Sequence, residues 1–141
     1  MQKLNQKYIN TIVKKALNED LKPQGDITTN LIQFKNKKIK AKIIAKQGGI
    51  IAGLDLCKTA FKLIGKETIF INKVIDGSKV KKNKVIAEVE AKIKTILTAE
   101  RTALNFLNHA SGIATLTDQF VKKVNKRTKI CCTRKTTPNL R

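Results

Sequence analysis

The chain has 141 residues, 41% of them hydrophobic, and carries 30 Lys and Arg against 10 Asp and Glu for a formal net charge of +20. That composition is globular, not disordered; the length allows one domain with a real core but not a closed α/β barrel, which takes roughly 200 residues or more. No apolar run approaches the ~20 residues that span a bilayer, and the first residues lack the apolar segment of a secretory signal, so a soluble cytoplasmic protein is expected.

In chain order, Tyr8, Ile12, Ala16 and Glu19 set a helical rhythm over about 5–18, which Pro23 and Gly25 end. Asp26, Thr28 and Thr29 follow in a loop, each able to cap backbone N–H groups. Ile39, Ala41, Ile43 and Ala45 alternate with lysines as in a half-buried strand, and Gly48-Gly49 makes a turn. A helix is expected over 54–64, with Leu56, Ala60, Phe61 and Ile64 on one face. Strands are expected over 68–75 and 85–89, separated by the turn Asp76-Gly77-Ser78. From Thr95 to Val124 a stripe of Ile96, Ala99, Ala103, Leu107, Ala110, Ala114, Thr117, Val121 and Val124 recurs at helical spacing, and Ser111-Gly112 is expected to break it into two helices. Residues 128–133 form a short strand candidate, followed by a basic segment to Arg141.

The charge invites a nucleic-acid reading, but 26 of the 30 basic residues are lysines scattered along the chain and aromatics are only 4%. A stacking platform is poorly supplied, and a solvated lysine coat accounts for the charge. Against that background the four arginines stand out, because a guanidinium grips a carboxylate or phosphate with two parallel hydrogen bonds and an ammonium cannot. Cys57, Cys131 and Cys132 lack zinc-site spacing and read as small, reduced, mostly buried residues.

Two stretches carry candidate chemistry. In the first, Leu97 to Leu107, Arg101 lies roughly 140° from the centre of the apolar stripe and points away from its own core. Glu100 lies nearer the stripe, as a partly buried acid needing a partner. The second, Cys132-Thr133-Arg134-Lys135-Thr136-Thr137-Pro138-Asn139-Leu140-Arg141, directly follows the last strand candidate. Ligands of α/β sheets and barrels bind at the carboxyl ends of strands, so its cations and hydroxyls suit an anion; a basic chain end fits equally.

Both stretches resemble the quinolinate phosphoribosyltransferase family, also called carboxylating nicotinate-nucleotide pyrophosphorylase. Gly25 to Thr29, Gly49 to Leu54, Thr98 to Leu107, Ser111 to Thr115 and Thr133 to Pro138 match that family's motifs in order along the chain. The resemblance implies an α+β fold: an N-terminal α/β sandwich over 1–110 with a central helical region, then over 111–141 the first strand of a truncated α/β barrel. It implies conversion of quinolinate and phosphoribosyl pyrophosphate to nicotinate mononucleotide, carbon dioxide and pyrophosphate in NAD biosynthesis, with this chain inactive alone because most of the barrel is absent. Mg²⁺ accompanies the phosphoribosyl donor, its ligands expected in the missing part. Substrate-binding roles carry over to Arg101, reaching quinolinate from the neighbouring subunit of a homodimer, and to Thr133, Arg134 and Lys135. None of these is a general acid or base, and no catalytic residue is assigned. Cys132 stands where the family usually has Asp, and Asn139 where it has Gly. His109, the only histidine, has no carried-over role and reads as a cap beside the Ser111-Gly112 break.

Alternative readings are a related pyrophosphorylase-like protein linked to molybdenum transport, and a lipoyl- or biotinyl-like carrier. The latter rests on residues 74–92, where the modified lysine would be Lys92, although the second hairpin strand such a module needs is missing.

Overall fold

A computed structural model describes residues 4–32, 37–124, 128–133 and 135. Helix α1 (Gln6–Leu21) starts where the Asn5 side chain accepts from the Lys7 amide and buries Ile9, Val13 and Leu17. The next segment is more than a loop. Asp26 caps a single-turn helix α2 (Ile27–Leu31) by accepting from the Thr29 amide. Capping was legible from the sequence; the helix it starts was not.

Strand β1 (Lys38–Ile44) alternates exposed and half-buried residues. It pairs antiparallel with β5 (Val85–Lys92), which pairs antiparallel with β3 (Ile69–Asn72), giving the sheet order β1-β5-β3. Ala41 faces Val89 and Val89 faces Phe70 across the strands, so one face joins the core. The other face carries cross-strand charges, with Lys40 and Glu90 3.7 Å apart. A second, two-stranded sheet pairs β2 (Gly49–Ile50) with β4 (Lys79–Val80). Lys92 ends β5 and directly precedes a helix, so the hairpin that a carrier module needs does not form there.

Helix α3 (Leu54–Ile64) has the bounds the sequence suggests and buries Leu54, Cys57, Ala60 and Phe61. Its N-cap, Gly53, has no side chain and a φ of 95°; Asp76, from the turn before β4, supplies the missing acceptor at 3.1 Å from the Leu54 amide. Phe61 meets Phe70 of β3 with ring centroids 6.0 Å apart, joining α3 to the sheet. Helix α1 packs against α3 and α4.

Helix α4 (Ile93–Lys123) is one continuous element of 31 residues. The expected break at Ser111-Gly112 does not occur. The Ser111 hydroxyl accepts from the Ala52 amide at 3.0 Å and donates to the Ala52 carbonyl at 3.2 Å. One turn on, the Thr115 hydroxyl accepts from the Ile50 amide at 2.9 Å. The i, i+4 hydroxyls of α4 thus serve backbone groups two residues apart along the β2 edge, in place of a neighbouring strand. Packing against β2 and α3 holds the helix through a residue pair whose local preference is to end it. Its stripe is buried only over its first half, at Ile96, Ala99, Ala103 and Leu107; Thr117 and Val121 are exposed.

Four other expectations are corrected. His109 lies mid-helix and exposed, so it caps nothing. Glu100 is exposed, because it lies one residue off the buried stripe. Residues 128–133 form no strand, and Cys131 and Cys132 are exposed; only Cys57 is buried.

Candidate functional site

Thr98, Arg101 and Thr102 occupy positions i, i+3 and i+4 of α4 and therefore share a face. That face meets two aspartates, Asp20 in the last turn of α1 and Asp26 at the start of α2. Asp20 divides its oxygens: Oδ1 accepts from Arg101 Nη1 at 3.2 Å, and Oδ2 accepts from the Thr102 hydroxyl at 3.3 Å. Asp26 does likewise, with Oδ1 on the Thr29 amide at 3.0 Å and Oδ2 accepting from the Thr98 hydroxyl at 2.9 Å.

The electrostatics follow. The Thr29 hydroxyl and amide hold the Asp26 carboxyl below the usual carboxylate range, with help from Thr98 and the nearby Arg101 charge and against the opposing effect of burial. Asp20 is 21% exposed at its side chain while Arg101 is 75% exposed. An ion pair that open to water adds about 0–1 kcal/mol to stability. Its larger effect is geometric: the guanidinium is tied at one nitrogen while the rest of the fork faces solvent. Among the described residues, Arg101 Nε and Nη2 have no hydrogen-bond partner. Such a group can receive a carboxylate in bidentate fashion.

The other predicted site residues lie beyond α4. Thr133 and Lys135 are exposed, and the Lys135 amide donates to the Thr133 hydroxyl at 3.3 Å. Arg134 lies outside the described residues, as do Thr136 to Arg141. Among the described residues no hydrogen bond or ion pair joins Arg101 to Thr133 or Lys135. An open groove of about 760 Å³ runs between β1, β2 and α4, lined by Ala41, Ile43, Glu100, Leu104, Leu107 and Leu116 among others; it includes none of the predicted substrate residues.

Mg²⁺ takes oxygen ligands in near-octahedral geometry. Among the described residues no group of three His, Cys, Asp or Glu gathers, and Asp20 and Asp26 are committed to the helix face just described. These residues do not fit the ion.

Sequence reasoning singled out Arg101 as a candidate and did not single out Asp20, its partner in the structure. The available signal was an acid in the last turn of a helix, where the helix dipole disfavours it.

Comparison with known proteins gives a consistent result. The family described as "Quinolinate phosphoribosyl transferase, N-terminal domain" matches residues 26–111, and "Quinolinate phosphoribosyl transferase, C-terminal domain" matches residues 113–141. A probable nicotinate-nucleotide pyrophosphorylase [carboxylating] of Methanocaldococcus jannaschii is 44% identical over 137 residues, which is 94% of this chain and 46% of that relative. Its counterpart of the same name in Bacillus subtilis is 40% identical, with 92% of this chain and 46% of the relative covered. The crystal structure of NadC from Streptococcus pyogenes superimposes with a TM-score of 0.93 at 36% identity, covering 99% of this chain and 50% of that one. The chain thus spans about half the length of the relatives it matches. Ordered motifs, fold and sequence identity agree, and the chain belongs to the quinolinate phosphoribosyltransferase family.

Proposed function

We propose that these residues supply the N-terminal half of a quinolinate phosphoribosyltransferase and that Arg101 binds a carboxylate of quinolinate. In that reaction the pyridine nitrogen forms a bond to the ribose anomeric carbon and pyrophosphate leaves. One ring carboxylate departs as carbon dioxide, a proton takes its place, and nicotinate mononucleotide results. The observation that carries the reading is the Arg101 guanidinium, anchored through Nη1 and three-quarters exposed in a chain that uses lysine almost everywhere else. A dicarboxylate substrate suits such a fork. Thr133, Arg134 and Lys135 are its proposed companions, contributed with Arg101 from different subunits of a homodimer. The exposed apolar residues Ile113, Leu116, Phe120 and Val121 on the second half of α4 support an assembly that covers them. Mg²⁺, when bound with phosphoribosyl pyrophosphate, would neutralise charge on the departing pyrophosphate. Its ligands are expected in the remaining half of the family's length. The proposed location is the cytoplasm; no described helix is long and apolar enough to cross a membrane.

The test is nicotinate mononucleotide formation from quinolinate, phosphoribosyl pyrophosphate and Mg²⁺. It is run with the 141 residues alone and with the same residues joined to the C-terminal half of the Streptococcus pyogenes relative. Turnover is expected only in the joined protein. Turnover by the 141 residues alone would show that they hold a complete site, and a folded joined protein without turnover would count against the assignment of activity.

A further inference from the structure

We propose that Asp20 is a positioning residue for substrate binding: it holds the Arg101 guanidinium with one edge free for a carboxylate of the substrate. The proposal rests on the reading of Arg101 as a substrate ligand. Asp20 breaks a local rule. It sits in the last turn of α1, a turn with no basic residue, where the helix dipole disfavours an anion. Its compensation comes from far along the chain, from Arg101 and Thr102, 81 and 82 residues away. Thr102 is only 4% exposed, so the hydroxyl that grips Oδ2 is itself fixed by packing. With Oδ2 held, Oδ1 points at Nη1 and orients the guanidinium plane. Nε and Nη2, without partners among the described residues, form the other edge of the fork.

Two effects of Asp20 on an anionic ligand oppose each other. Its charge repels a dicarboxylate, and its hydrogen bond restricts an otherwise mobile arginine. Asp20 itself is only 21% exposed, but its charge is paired with a guanidinium that is three-quarters exposed, so the opposite charge offsets the repulsion and salt reaches the pair. Ordering a long, rotamer-rich side chain on binding weakens affinity by roughly three- to tenfold, and Asp20 removes that loss in advance. Orientation therefore outweighs repulsion, and removing Asp20 weakens substrate binding in spite of removing a negative charge.

The experiment is steady-state kinetics on the joined full-length protein described above. Asp20→Ala is expected to raise KM for quinolinate roughly three- to tenfold, with kcat within about twofold and KM for phosphoribosyl pyrophosphate unchanged. Asp20→Asn keeps an acceptor oxygen without the charge and is expected to retain most of the wild-type KM; it also serves if the alanine variant does not fold. In an Arg101→Ala background, Asp20→Ala is expected to add nothing. An unchanged quinolinate KM in Asp20→Ala overturns the proposal, as does an Asp20 effect that persists undiminished without Arg101, or a joint fall in kcat and in affinity for both substrates. If Arg101→Ala itself leaves quinolinate kinetics intact, the reading of Arg101 has failed, and that outcome is visible separately from any result at Asp20.

Discussion

Replacing Thr115 with valine removes the hydroxyl that α4 offers to the β2 edge while keeping its volume. The lost interaction is chiefly the Ile50 amide bond at 2.9 Å; the return contact to the Ile50 carbonyl, at 3.5 Å, is too long to contribute much. Valine leaves no cavity and its helix propensity is close to that of threonine. The cost is therefore that of a stranded donor, about 1–3 kcal/mol when fully buried. Ile50 is half-buried, so water partly replaces the lost acceptor and the lower part of that range, about 1–2 kcal/mol, applies. For a chain of this size that lowers Tm by about 3–8 °C. Thermal denaturation gives the stability change, and hydrogen exchange at the Ile50 amide shows its location. Ser111→Ala should act similarly at Ala52, with the double variant departing from additivity because both hydroxyls hold one edge. Unchanged Tm together with unchanged protection at Ile50 would refute the view that these hydroxyls stand in for a strand.

Other outcomes follow from the same structure. Gly53→Ala forces an alanine to a φ of 95° with its new Cβ 3.2 Å from both Ala110 Cβ and the Phe106 carbonyl oxygen; a loss of at least about 1–2 kcal/mol in urea denaturation is expected. Burial pushes the Cys57 thiol up to about 12, so a thiol reagent at pH 8 should label Cys131 and Cys132 in the native protein and Cys57 only after unfolding; rapid native labelling of all three would contradict the packing of α3. The Asp26 carboxyl is held low in the folded state, so its contribution is present above its unfolded value near 3.9 and is lost as pH falls through the lower folded value. Glu67 and Glu88 shift in the same direction, held low first by hydrogen bonds from Lys38 and Lys73. The diagnostic is therefore a difference: between pH 5 and pH 2, Asp26→Asn should lose less stability than the parent protein. An identical loss would remove Asp26 from the pH dependence.

The parts legible in the sequence are those set by local periodicity. The alternation from Ile39 to Ile43 and the stripe from Leu54 to Ile64 locate β1 and α3, because each element buries one face and the pattern records it. Strands β2 and β4 were not found, since two residues each are too few to show alternation. Ser111-Gly112 misled because its local preference is overruled by hydrogen bonds to residues 59 positions earlier. The strand expected over 128–133 did not form; strand character in that apolar run depends on a pairing partner that periodicity cannot supply. The same division holds at the site. Arg101 was recognisable from residue type and family motif, whereas Asp20 becomes meaningful only once the fold sets the end of α1 against α4.

The central claim is that the Arg101 fork reads a substrate carboxylate. Its most direct test is calorimetric titration of quinolinate into the joined full-length protein and into its Arg101→Lys variant. Lysine retains the charge and loses only the planar two-point grip. The account predicts at least a roughly tenfold weaker Kd for the lysine variant, since a charge-assisted hydrogen bond contributes about 1.5–3 kcal/mol. Equal affinity in the two proteins would mean that charge alone suffices and that Arg101 does not grip the substrate.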